Sequence, residues 1–405
     1  MLNEVGLRQE YINLIGKELI EEFEEESEKF GNRSILMVSS FKKSKGVEVL
    51  VGDLKELFSE FKIKIDFKIL IGDKKFYDVV DNLLIGIQNE NYNKENINEY
   101  LKFFNERIIT YNYELLSELD KYDMIIVHDL HSFGLISFKK WNKWIWHAHL
   151  DLTRPDRDLW GFITNLSENY DKVIVSANSY KLNDKWVVLP PGLNPFSLKN
   201  KEIEKIDEIL LKNNIPVNKP LVVQVSRMDR NKDPFAIFEI FEIAMDFGGD
   251  FNFVYKTILP EENNLLKDFL KKIERCRYRE HFFINCSNDD ILINALQRKA
   301  VCVIQESKRE GFSLSISEAL WKRTPVISTG VGGIPLQVRD GYNGFLVNTE
   351  YKSHYRKIAE AIIYLLENKD KAKEMGINGR NLIKENYLMI LHGLDYIKII
   401  NSLVH

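Results

Sequence analysis

Short apolar runs alternate with helical patterns along nearly the whole chain. In the first half, strand-like runs occur at SILMVSS (34–40), KIDFKILIG (64–72), DMIIVHD (123–129), KWIWHAHLD (143–151), KVIVSA (172–177) and WVVLP (186–190). Segments such as VEVLVGDLKELFSEF (47–61) and NINEYLKFFNERIITYNYELL (96–116) read as helices between them. Continuous apolar runs separated by helices predict a parallel sheet covered on both faces. After PPGLNPFSLKN (190–200) the sequence turns polar and charged. The alternation restarts at LVVQVSR (221–227) and continues through FNFVYK (251–256), FFIN (282–285), VCVIQ (301–305), PVIST (325–329) and GFLV (344–347). The pattern predicts two α/β domains of similar size, joined near 191–218, one over 1–195 and one over 196–383. The closing helical segment, 384–405, brings no strand with it. It cannot extend the second sheet and is expected to cross back to the first domain. The carboxyl ends of the strands are expected to line a central cleft, where open α/β sheets bind ligands.

Composition narrows the function. The 405 residues carry 44% apolar and 29% charged positions and a formal net charge of −4. That balance argues against a protein that binds nucleic acid by neutralising phosphates, and it supplies no global attraction to anionic lipid. Three cysteines, Cys276, Cys286 and Cys302, form no C-x-x-C pair, so neither a disulfide framework nor a cysteine zinc site is expected. The N-terminal stretch lacks a basic region followed by an apolar run, and no window holds 18 uncharged apolar residues. The expected setting is cytoplasmic, without stable membrane insertion; a homodimer is one assembly the composition permits.

The chemistry concentrates at loops that follow strands. In REGFSLSISEALWK, Glu310 precedes a glycine turn and Glu318 lies eight residues further on. Ser313 is placed to cap the helix through SISEALWK. The amides of Gly311, Phe312, Ser313 and Leu314 would then offer an anion site at a helix start, with Gly311 permitting close backbone approach. Glu310 and Glu318 can accept bonds from sugar hydroxyls. Phosphate at the amides and hydroxyls at the carboxylates describes a nucleotide sugar; the plain alternative is a capped surface helix with two solvated glutamates. In QVSRMDRNKDP (224–234), Arg227 and Lys232 provide the paired cations a diphosphate needs. No glycine-rich dinucleotide fingerprint appears there, which argues against NAD. TGVGG places Gly330, Gly332 and Gly333 on a further loop. In the first half, His128, Asp129, His131, His147, His149 and Asp151 crowd the loops after two strands. Period-two alternation in HAHLD puts His147, His149 and Asp151 on one face. Without H-E-x-x-H or a thiol partner these residues are read as contacts to an acceptor hydroxyl, not as metal ligands. SFKKSKGVEVL (40–50) offers Gly46 and the lysines Lys42, Lys43 and Lys45 as a phosphate or acceptor loop, or as a solvated charge run.

These motifs resemble those of the retaining glycosyltransferases of the GT-B fold, in the large family 4 group. Glu310 and Glu318 have that family's Glu-x7-Glu spacing, followed by EALWKRTPVISTGVGGIP and DGYNGFLV, and VSRMDRNKD supplies the basic pair. Within the group, the likeness to the trehalose glycosyltransferring synthases runs nearly end to end. It passes through VHDL, WIWHAHLDLTRPDRDLW, LPPGLNP, ALQRKAVCVIQESKREGFSLSISEALWKRTPVI and LDYIKIINSL. The resemblance implies two Rossmann-like βα domains facing a central cleft, with the donor on the C-terminal domain and the acceptor on the N-terminal one. It implies transfer of glucose from a nucleoside-diphosphate glucose (UDP- or ADP-glucose) to free glucose, giving trehalose, with no metal and no cofactor. Arg227 and Lys232 would hold the diphosphate, Glu318 the ribose and Glu310 the donor sugar, with His149 at the reacting face. Gly46, His128, Asp129 and Asp151 would fall on the acceptor side. No well-placed nucleophile stands out, so retention is expected by front-face attack assisted by the leaving phosphate. The chain departs from the family at Ser44-Lys45-Gly46, Leu130-His131, Asn194 and Lys256. Two alternatives therefore stand beside a free-sugar acceptor: a lipid-linked or protein-bound glycan, and a catalytically inactive nucleotide-sugar-binding protein.

Overall fold

A computed structural model describes residues 6–40, 45–87, 95–153, 155–258, 263–349 and 353–403. Lys42, Lys43 and Ser44 of the first basic loop, and the side chain of Lys45, lie outside the described residues. The chain forms two compact units, Met1–Gly192 with Met389–His405, and Leu193–Leu388.

The first unit carries β1 (Ile35–Ser39), β2 (Ile65–Ile69), β3 (Met124–His128), β4 (Lys143–His147), β5 (Lys172–Val175) and β6 (Trp186–Val188). They pair in parallel in the order β2-β1-β3-β4-β5-β6. The strand order explains the sequence pattern. β1 and β3 are buried at every position, because helices cover both faces, and they read ILMVS and MIIVH. β2 lies at the sheet edge and is only partly buried, which lets it carry Asp66 and Lys68. β4 ends at His147, earlier than the run to Asp151 suggested. His149 and Asp151 therefore stand on the following loop, and the alternating-face argument does not reach them. Large aromatic rings fill the core: Phe133 packs on Trp146 at 4.3 Å and Trp146 on Trp186 at 6.0 Å between centroids.

The closing helix Met389–Asn401 packs on the helices Glu18–Phe30 and Lys45–Glu60 of the same unit. Tyr396 meets Phe58 edge to face at 6.3 Å. Asn401 donates Nδ2 to the Glu26 carbonyl at 2.9 Å. Gly192 lies against the start of this helix, where a Cβ would stand 2.8 Å from Met389 Cα. Only glycine lets the two backbones approach so closely.

The second unit carries β7 (Leu221–Val225), β8 (Asn252–Lys256), β9 (Phe282–Asn285), β10 (Ala300–Gln305), β11 (Val326–Thr329) and β12 (Gly344–Val347). All pair in parallel in the order β12-β11-β10-β7-β8-β9. Phe238, Phe241, Phe253 and Phe282 form the centre of its core, with Phe253 and Phe282 stacked at 5.1 Å. Each sheet has one place where chain order reverses direction: between β1 and β3 in the first, and between β7 and β10 in the second. At such a point the two loops leave in opposite directions and open a crevice outside the carboxyl ends of the strands. The chemistry-bearing loops identified from sequence follow these strands.

Candidate functional site

In the second unit the loop after β7 and the loop after β10 meet. Lys232 forms an ion pair with Glu310 and donates Nζ to Ser307 Oγ at 3.2 Å. Both members of the pair are largely buried, with side-chain exposures of 12% and 16%, so their attraction is screened far less than that of a surface pair. Arg227 reaches Asp229 at 3.4 Å, and its side chain remains 67% exposed. Asp229 Oδ1 in turn accepts from the amides of Asn231 at 3.0 Å and Lys232 at 3.1 Å, which fixes the turn that presents Lys232. Asp233 accepts from Ala236 N at 3.2 Å and so caps the helix Pro234–Asp246. The Lys308 amide donates to Asn231 O at 2.8 Å, joining the two loops through backbone as well.

The helix Leu314–Trp321 starts where the sequence placed it, but its start is built differently. Ser313 holds the cap position with φ at 77°, and its hydroxyl pairs with Ser315 Oγ at 3.1 Å instead of capping an amide. Phe312 is buried and packs on Tyr387 at 5.4 Å. The carbonyls of Phe312 and Ser313 both accept from Nε2 of Gln337, a fully buried residue, the second at 3.3 Å. Ser317 Oγ donates to Gln337 Oε1 at 2.5 Å. Leu314 and Ser315 are the first helical residues, so their amides have no intrahelical acceptor. Glu318 lies one turn further in, half-buried. Gly333 closes the arrangement: its amide donates to Glu310 O at 3.2 Å, and a Cβ there would stand 2.2 Å from the Gly311 carbonyl oxygen. Gly333 is therefore glycine for contact reasons, whereas the atoms nearest a Cβ at Gly330 belong to the Leu346 side chain, from 3.3 Å.

In the first unit, His128 ends β3, His147 ends β4, and His149 follows on the loop. His128 Nδ1 lies 3.0 Å from His149 Nε2, and the rings of His147 and His149 are 3.9 Å apart. His392, on the closing helix, stands 6.3 Å from His147 between centroids. Burial pushes His128 down to about 3 and His392 to about 4, and holds His147 and His149 well below the usual imidazole range. All four are neutral at pH 7. Asp129 has a left-handed backbone (φ 59°) and accepts the His149 amide at 3.3 Å. Asp151 is buried, and its Oδ1 accepts from Thr153 N at 2.9 Å and Tyr180 OH at 3.1 Å. His131 turns away from the other histidines, towards Tyr77 and Asp81. Gly46 is exposed near the start of its helix, and a Cβ added there would meet nothing within 4 Å among the described residues.

Ser307, Gln337 and His392 were missed from sequence. Each is a single polar residue in a stretch whose pattern reads as loop or helix, and only the pairing of β10 with β7 and β11, or the packing of the last helix, reveals its partners.

Residues 37–182 match the family described as "Trehalose synthase, N-terminal domain", and residues 205–382 match "Glycosyl transferases group 1". The trehalose synthase of Thermococcus litoralis is 30% identical over 97% of this chain and 96% of its own length. That of Pyrococcus horikoshii is 29% identical over 98% and 96%. Among solved structures, Anabaena HepE in complex with UDP and glucose superposes with a TM-score of 0.69 at 15% identity, over 92% of this chain and 100% of that one. That likeness carries the GT-B fold. The chain is a glycosyltransferase of group 1 and belongs to the family of the trehalose synthases.

Proposed function

We propose that this enzyme transfers a hexose, with glucose as the first candidate, from a nucleoside-diphosphate sugar to a sugar acceptor with retention of anomeric configuration. The observation that carries the reading is the Lys232–Glu310–Ser307 cluster at the β7/β10 reversal point, beside a helix start and Arg227. Without donor, the Lys232 ammonium is met by the Glu310 carboxylate. An entering diphosphate brings two or more negative charges to Lys232 and Arg227 and releases Glu310 to accept from hydroxyls of the donor sugar. Glu318 would take the ribose, and the Leu314 and Ser315 amides a phosphate oxygen. The bound nucleotide sugar in HepE supports a UDP-linked donor here, and the trehalose synthase relatives support glucose as acceptor.

In the reaction, the bond from the anomeric carbon to the diphosphate oxygen breaks as the bond to the acceptor oxygen forms on the same face. The acceptor proton passes to the departing phosphate. Negative charge grows on the leaving group, so Arg227, Lys232 and the helix-start amides stabilise the transition state more than the ground state. His149, neutral at pH 7, is available to accept from or donate to a hydroxyl near the reacting carbon. Gly46, His128, Asp129 and Asp151 shape the acceptor side.

The test is incubation with UDP-, ADP- and GDP-linked hexoses and a panel of free sugars, with product mass and anomeric coupling read out. A disaccharide with the donor's anomeric configuration is the expected result. Donor binding without transfer to any sugar in the panel would sink the reading, as would inversion.

A further inference from the structure

In the second unit, three arginines surround one carboxylate at the end of the strands opposite the donor loops. Arg298 lies in the last turn of the helix Asp290–Lys299, just before β10 begins. Arg323 stands in the turn between the helix Leu314–Trp321 and β11, and Arg380 on the helix Lys369–Asn386. Gly376, one turn before Arg380, presses on the Arg323 backbone: a Cβ there would stand 2.0 Å from the Arg323 carbonyl oxygen. Arg298 Nη1 pairs with Glu202 Oε2 at 2.6 Å, and Arg380 Nη1 with Glu202 Oε1 at 3.4 Å. Arg298 is also held from behind, its Nε on Asn294 Oδ1 at 2.8 Å and its Nη2 on the Lys201 carbonyl at 2.9 Å. The Arg380 guanidinium lies 4.1 Å from the centroid of the buried Trp321 ring and donates to the Trp321 carbonyl at 3.0 Å. Nearby Lys199 and Lys299 are matched by Asp290 and Asp207. Arg323 is exposed and, among the described residues, takes part in no ion pair.

Three features separate this cluster from an ordinary surface ion pair. The first is surplus charge: three guanidinium groups face one carboxylate. Burial, and then the positive charge of neighbouring arginines, lowers Arg298 and Arg380 from the usual guanidinium range, with Glu202 opposing. The second is the occupant. The Glu202 side chain is 72% exposed, and exposed ion pairs are weak, so it can be exchanged for a stronger anion. The third is Arg323 itself, whose backbone is left-handed with φ at 62°. That region favours glycine, so an arginine there carries strain that glycine would relieve.

We propose that Arg298, Arg323 and Arg380 form a binding site for a phosphoryl group, as free phosphate or as the phosphomonoester of a small metabolite, with Glu202 as the internal carboxylate that it displaces. Guanidinium forks match phosphate oxygens in pairs. The two oxygens of Glu202 already bridge Arg298 and Arg380, as two oxygens of a phosphate would. A third phosphate oxygen is then left for Arg323, which the single carboxylate does not pair.

The site lies apart from the transfer chemistry. The donor loops follow the carboxyl ends of β7 and β10, whereas Arg298 and Arg323 precede the amino ends of β10 and β11. A diphosphate held by Arg227 and Lys232 is therefore a different ligand in a different place, and the inference does not rest on the functional proposal.

The experiment is titration of the full chain with inorganic phosphate, and separately with glucose 6-phosphate, followed by 31P NMR at low salt, where charge contacts are least screened. Saturable binding is expected. Glu202→Gln should tighten it about three-fold or more, because the competing carboxylate is gone. Glu204→Gln, the same change of charge two residues away, should leave it level. Arg323→Gly should weaken it about ten-fold, with Tm level or higher as glycine relaxes the left-handed turn; a purely structural arginine would not combine those two results. Tighter binding of glucose 6-phosphate than of phosphate would assign the site to a phosphomonoester, and the reverse to free phosphate. Phosphate held at the donor loops would instead respond to Arg227→Ala and to neither Glu202→Gln nor Arg323→Gly. That pattern would overturn the proposal, as would equal affinity in wild type and Arg323→Gly. Neither outcome bears on glycosyl transfer, which the sugar panel tests separately.

Discussion

Arg227 and Lys232 differ in what surrounds them, and the difference predicts separate phenotypes. Arg227 is mostly exposed and bonded to Asp229, so its removal should leave the fold intact. Arg227→Ala is expected to lower kcat/KM on the order of 10²-fold, about 3 kcal/mol of transition-state stabilisation. Unchanged single-turnover transfer in that variant would contradict the role. Lys232 is buried against Glu310 and Ser307, so Lys232→Ala strands a carboxylate. It should lose both activity and about 3 kcal/mol or more of stability, whereas Lys232→Ala/Glu310→Ala should recover part of that stability; calorimetric Tm values check both. The sequence places Lys232 and Glu310 on loops that follow apolar strands, and the structure joins them as an ion pair. Asp151 shows what a sequence leaves out. Its carboxylate holds a local turn, a partner set that the sequence does not display.

At the scale of elements, the loop after β10 is shaped by its neighbours more than by its own residues. Gln337 bonds the Phe312 and Ser313 carbonyls from another segment. Gln337→Met keeps the volume and removes those donors. Leaving buried groups unpaired should cost about 1–3 kcal/mol, and KM for the donor should rise while KM for the acceptor stays level. Equal shifts in both would argue against a role confined to the donor loop. Gly333→Ala drives a methyl into the Gly311 carbonyl. The expected outcome is a lower Tm, by about 1–3 kcal/mol of stability, together with weakened donor binding. Gly46→Ala, with open space where its Cβ would stand, should change Tm by far less. The strands were readable since a parallel strand buried on both faces has to be a continuous apolar run, and each of the predicted runs contains one. The end of β4 was misplaced because HAHLD keeps alternating after the hydrogen-bonded ladder has stopped.

At the scale of the whole molecule, Lys322 in the second unit departs from ordinary ionisation. It is buried, and its Nζ donates to Asn200 Oδ1 at 2.8 Å, Gln297 Oε1 at 2.8 Å and Glu318 O at 3.0 Å. Burial pushes it down to about 7, opposed by the Glu318 and Glu202 carboxylates and reinforced by Arg298 and Lys199. The folded pKa lies below the unfolded one of about 10.4. Between these values the unfolded chain binds more protons, so stability should rise as pH increases from about 7 towards 10. Lys322→Met should flatten that rise, measured by denaturant unfolding at stepped pH. A slope identical to wild type would remove Lys322 as its cause. The sequence by itself determined the alternation of strands and helices, the parallel character of both sheets, and the loops that carry charge. Those features follow from local periodicity and from which residues water will accept. Only the tertiary structure decided which distant residues meet. Strand order set β10 beside β7 and so joined Lys232 to Glu310, while the returning helix carried His392 to His147. Such contacts depend on sheet order and helix docking, and no local pattern encodes either.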